Sequence, residues 1–134
     1  MTTHHDTHAT MLVTLSGRDR PGITRDLFTA CSAQAVAVTD VDQIVMRDRL
    51  TIAASVDGAI AELERLRPAI EQMAHRSSMD CTISIEEKAA PSTRNLGVPH
   101  FQVTVMSPRL VPEAIAKITD VIAENGGNID RLRR

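Results

Sequence analysis

Apolar side chains take every second position in Met11-Leu12-Val13-Thr14-Leu15, the pattern of a strand with one buried face, and predict a first strand from about Ala9 to Ser16. The period then changes. Ile23, Leu27, Ala30 and Cys31 follow helical spacing and predict a helix over about Pro21 to Gln34. Alternation returns from about Val36 to Arg47 and from about Arg49 to Val56, where Asp57-Gly58 ends the run. Met46-Arg47-Asp48-Arg49 joins these two strands, which predicts an antiparallel hairpin. A second helix is expected over about Ala59 to Ala74, with Ile60, Leu63, Leu66, Ile70 and Met73 on one side. Pro68 falls inside that stripe and should kink the helix, or restart it after Leu66, because its ring blocks a backbone bond. A fourth strand, Asp80 to Glu86, alternates through Cys81, Ile83 and Ile85.

The order is βαββαβ, an α+β arrangement. Its natural solution is a four-stranded antiparallel sheet with both helices on one face. The opposite face would carry Thr14, Thr39, Gln43, Thr51, Ser55, Thr82 and Ser84. This first domain takes residues 10–87, after a disordered polar tail over 1–9. Residues 88–99 form a linker, signalled by Ala89-Ala90-Pro91-Ser92-Thr93 and Gly97-Val98-Pro99.

Residues 100–134 then repeat the pattern. Phe101, Val103 and Val105 alternate, Ile115, Ile118, Val121 and Ile122 mark a helix, and Asn125-Gly126-Gly127 supplies its left-handed stop. Pro21 aligns with Pro112, Leu27 with Ile118, Cys31 with Ile122 and Val38 with Ile129, all at one offset. The second copy is incomplete: it has β, α and β only. The strand begun at Asn128 leaves an unpaired edge, so the expectation is a fragment of a longer chain that self-associates.

Composition narrows the function. Among 134 residues there are two Phe and no Tyr or Trp, which argues against stacking nucleic-acid bases, and a formal charge of −2 argues against a broad grip on phosphate backbones. No apolar run reaches membrane-spanning length and no signal peptide is visible, so a cytoplasmic protein is expected. Cys31 and Cys81 fall on apolar faces with no CxxC pair and read as buried thiols. His4, His5 and His8 could bind a metal, but a polar tail usually only fluctuates.

The chemistry concentrates in the strand-to-helix turn, Ser16 to Ile23. Asp19 can serve as N-cap, and Gly22 leaves the first free helix amides bare. Such a helix mouth favours a small anion such as a carboxylate; an ordinary capped helix reads the same way. Asp19-Arg20-Pro21-Gly22-Ile23 directly after a strand resembles the DRPGI signature of ACT domains, small ferredoxin-like modules that sense amino acids.

This turn is followed by Val41-Asp42-Gln43-Ile44-Val45, then Arg47-Asp48-Arg49-Leu50-Thr51, then Gly126-Gly127-Asn128-Ile129-Asp130-Arg131. That succession is similar to the amino-terminal tandem ACT region of long, actinobacterial-type phosphoserine phosphatases. The resemblance implies a regulatory region that binds L-serine or a similar small amino acid, and a homodimer or higher oligomer formed through ACT units. It also implies a separate haloacid-dehalogenase-type domain that uses Mg²⁺; no cofactor is expected in this chain. Ligands would lie between one unit's first helix and its partner's second strand, which implicates Asp19, Arg20, Pro21, Gly22 and Ile23 together with Asn128 and Ile129. Glu113, at the second unit's helix start, would repel a ligand carboxylate. A stand-alone tandem ACT regulator, the ACT head of a formyltetrahydrofolate deformylase, and a ligand-free dimerisation module are the alternatives. Asp40-Val41-Asp42 imitates a DxD phosphatase nucleophile, but Ile44 stands where Thr or Val is needed and the strand runs on apolar. No phosphatase activity is expected from these residues themselves.

Overall fold

A computed structural model describes residues 7–87 and 99–134; positions 88–98 of the expected linker and the histidines at positions 4 and 5 lie outside them. The chain forms two compact units, residues 1–96 and 97–134. The first contains β1 (His8–Arg18), α1 (Ile23–Ser32), β2 (Val36–Met46), β3 (Arg49–Ala59), α2 (Ile60–Arg76) and β4 (Asp80–Glu87). Its strands lie in the order β2-β3-β1-β4, and every neighbouring pair is antiparallel, which is the expected ferredoxin-like sheet.

The alternation in β1 decides how the layers meet. Ala9, Met11, Val13 and Leu15 are at most 1% exposed and share a face with Leu50, Ile52 and Val56 of β3. Ile23, Leu27 and Cys31 of α1 and Leu63, Leu66, Ile70 and Met73 of α2 complete the core. Each fully buried Leu or Ile contributes about 1.5–3 kcal/mol. The core is therefore aliphatic, with Phe28 only partly buried against it.

Several local expectations are corrected. His8 and Ala9 are not tail residues: they pair with Ala59 and Gly58, and Ala9 is in the core. Asp57 and Gly58 do not end β3, because pairing to β1 carries it to Ala59. Pro68 neither ends nor restarts α2; one helix runs from Ile60 to Arg76. Leu63, Leu66, Ile70 and Met73 on both sides of the proline are buried, and that burial offsets the roughly 3 kcal/mol cost of a proline in a helix interior.

β2 contains a bulge that the alternation hid. Its register shifts between Val38 and Asp40, and Thr39 donates its hydroxyl proton to Ser55, with the carbonyl at 3.2 Å and the hydroxyl oxygen at 3.0 Å. The extra residue reverses the facing of every later position in the strand. Gln43, opposite Ile52, therefore lies on the helix side and not on the open face. The β2–β3 hairpin closes through Arg47 (φ 48°) and Asp48 (φ 63°), both left-handed, a turn of the I′ kind.

In the second unit, α3 (Pro112–Glu124) forms as expected. Gly126 (φ 76°) and Gly127 close it, their N–H groups donating to the Ala123 and Ile122 carbonyls at 3.0 and 2.9 Å. The strands expected around Phe101 and after Asn128 join no ladder among the described residues. A strand depends on its neighbour for hydrogen bonds, and this unit supplies none.

Pro68 is exposed and leaves one helix bond unmade, so Pro68→Ala is expected to stabilise the first unit by roughly 1–3 kcal/mol in urea unfolding. An unchanged or lowered midpoint would show that the proline carries no net cost at this position.

Candidate ligand-binding turn

β1 delivers the chain to the turn at Arg18, and the hairpin tip meets it there. The Asp19 N–H donates to the Asp48 carbonyl at 2.7 Å, which fixes the two loops against each other. Asp19 is not the N-cap. Gly22 takes that place with φ 97° and ψ −10°, no side chain caps the helix, and α1 begins at Ile23, leaving Pro21 outside it. The left-handed conformation is the cause: glycine adopts it without strain, and the helix can start only after it. The Gly22 carbonyl accepts the Asp26 N–H at 2.9 Å, closing the first helical bond.

The sequence-predicted residues Asp19, Arg20, Pro21, Gly22 and Ile23 thus form one continuous turn. Asp19, Arg20 and Pro21 are exposed, whereas the Ile23 side chain is buried, so only its backbone can serve a ligand. Arg25 adds what the sequence did not suggest. A methyl group placed on Gly22 would fall 2.7 Å from its guanidinium, so a cation lies over the bare glycine. Its Nε also pairs with Asp26 at 3.1 Å. Thr24 donates to the Gln43 Oε1 at 2.8 Å, a link from α1 to β2 that depends on the Thr39 bulge. Bare backbone, helix-end partial charge and a neighbouring guanidinium together suit a small carboxylate.

Asn128 and Ile129 belong to the second unit. There they border an open groove of about 460 Å³ beside α3, with Thr119 and Asp120. The Asn128 amide donates locally, to the Asp130 carboxylate at 3.3 Å.

Asp40 and Asp42 lie on an exposed antiparallel edge strand, and Asp40 accepts the N–H of Val41 at 2.9 Å. They are not at the end of a buried parallel strand. Among the described residues no three His, Cys, Asp or Glu side chains gather to hold a metal. No helix among them is long and apolar enough to cross a membrane. Cys31 is buried as expected, but Cys81 is only half-buried, because β4 is an edge strand. Burial pushes both thiols above 9.0, and Glu71 adds to the effect at Cys81.

Residues 9–84 match the family described as ACT domain, more than half of the chain, and the chain belongs to that family. It is 36% identical over 126 residues to a phosphoserine phosphatase of Streptomyces coelicolor, covering 93% of this chain. It is 27% identical over 129 residues to phosphoserine phosphatase SerB2 of Mycobacterium tuberculosis, covering 92% of this chain. The chain spans 30% of the length of each of these curated relatives. A solved structure of an unknown protein from Galdieria sulphuraria shares the fold with a TM-score of 0.65 at 18% identity, over 94% of this chain and 70% of that one.

Two outcomes test the turn and the thiols. Gly22→Ala should lower stability by about 1–2 kcal/mol in denaturant unfolding, since alanine pays the left-handed penalty and meets Arg25. A thiol with a raised pKa stabilises the fold while protonated, so that contribution is complete below about pH 8.5 and is lost as pH climbs through the folded-state values above 9.0. Unfolding midpoints of wild type and Cys31→Ala between pH 7 and 10 should converge as pH rises.

Proposed function

We propose that this chain is the regulatory region of a phosphoserine phosphatase of L-serine synthesis, binding L-serine or a similar small amino acid where two ACT units meet. The observation that carries the reading is the alignment of both named phosphatases along more than nine-tenths of the chain, through both units. The ligand carboxylate would take the Gly22 and Ile23 amides beside Arg25, and its ammonium would take the exposed Asp19 or a carbonyl of the facing unit. Asn128 and Ile129 are proposed as further ligand contacts. The Mg²⁺-dependent phosphoryl chemistry belongs to a separate domain, and the regulated enzyme works in the cytoplasm.

An edge supports assembly. Among the described residues β2 has no neighbour on one side, and Val38, Val41, Ile44, Val45 and Met46 are each at least 42% exposed along it. A second ACT unit can extend the sheet there and cover them. Because the pocket would span two units, a bound amino acid favours the arrangement that completes it.

Two or three charge-assisted hydrogen bonds of about 1.5–3 kcal/mol each, less the cost of association, correspond to affinities of about micromolar to millimolar. Calorimetric titration with L-serine, glycine and other amino acids should give saturable heat in that range for L-serine. Silence with all of them, and no thermal shift, would leave a dimerisation module in place of a sensor.

A further inference from the structure

The end of the sheet beside the turn gathers four arginines, with Asp19, Asp48 and Asp80 as the acids of the same end. Arg18 and Arg49 are direct cross-strand partners on the face opposite the helices. Arg20 and Arg47 follow in the two loops joined by the Asp19–Asp48 bond. All four are exposed, and none forms an ion pair among the described residues. Asp19 and Asp48 lie in the same loops, yet neither pairs with an arginine.

Two local costs meet here. Like charges directly opposite on a sheet repel. Arg47 also occupies a left-handed position (φ 48°) that Asn or Gly takes more cheaply. The Met46–Arg49 pairing and the Asp19–Asp48 bond hold the turn, but no ion pair among the described residues relieves the repulsion between the arginines. A single carboxylate could neutralise one guanidinium of the pair. A phosphate monoester brings a charge of about −1.5 to −2 and three acceptor oxygens, enough to bridge both.

We propose that this end of the sheet binds the phosphate group of a small phosphorylated molecule, bridged by Arg18 and Arg49 with Arg20 and Arg47 alongside. The site goes beyond the amino-acid reading, since its ligand oxygens meet guanidinium groups and not the Gly22 and Ile23 amides. It would serve free orthophosphate and phosphomonoesters by the same chemistry.

The test uses the intact chain in sodium phosphate against sodium chloride at matched ionic strength, read by thermal shift and by the arginine Nε–Hε resonances. Phosphate should raise the midpoint and move the resonances of Arg18 and Arg49. The double variant R18Q/R49Q should lose both responses and bind phosphate at least about tenfold more weakly. It should be no less stable than wild type in chloride, because the repulsion is gone. O-phospho-L-serine binding more tightly than orthophosphate would make a phosphomonoester the ligand, and equal binding would make it the free ion. A phosphate response no larger than that of chloride, or one unchanged in R18Q/R49Q, overturns the proposal. L-serine heat retained in R18Q/R49Q would keep the sensor reading standing whatever phosphate does.

Discussion

β1 is hydrogen-bonded on both sides, to β3 and to β4, and that constraint fixes the rest of the first unit. Once Met11, Val13 and Leu15 must face the helices, the register with β3 cannot slip by one residue without turning this row to solvent. The same register brings Arg18 opposite Arg49 and so carries the hairpin tip to the β1–α1 turn. The backbone bond between Asp19 and Asp48 results from that meeting. The geometry of the turn is therefore inherited from a row of aliphatic side chains well away from it.

The legible part of the sequence is the part that repeats. Strand alternation through Met11, Val13 and Leu15 and the stripe from Leu63 to Met73 located the layers, because burial selects one residue in two or about one in three and a half. Gly126-Gly127 announced its helix stop because few residues tolerate that conformation. Single-residue events were not legible. Thr39 is an ordinary strand residue in composition, yet as a bulge it moves Gln43 across the sheet to meet Thr24. Pro68 reads as a breaker until the burial of Leu66 and Ile70 on either side is weighed against it. At the turn the five signature residues were evident, but glycine took the capping position from Asp19, and Arg25 emerged only when its side chain could be placed over Gly22.

The two helix mouths differ in a way that matters for any anionic ligand. α1 starts after a left-handed glycine, and the acid in its first turn, Asp26, is paired with Arg25 at 3.1 Å. α3 starts after Val111 in an extended conformation, with Pro112 removing one amide and Glu113 in the first turn. Glu113 forms no ion pair among the described residues, so it already supplies the negative charge that the α3 dipole attracts. A carboxylate approaching α3 meets a like charge and a missing donor, whereas at α1 it meets a guanidinium and bare backbone. The two helices thus share an apolar stripe but not the chemistry of their first turns. A ligand carboxylate therefore discriminates between the two helix starts, and binding at either shifts an equilibrium only by its difference in affinity for the states involved.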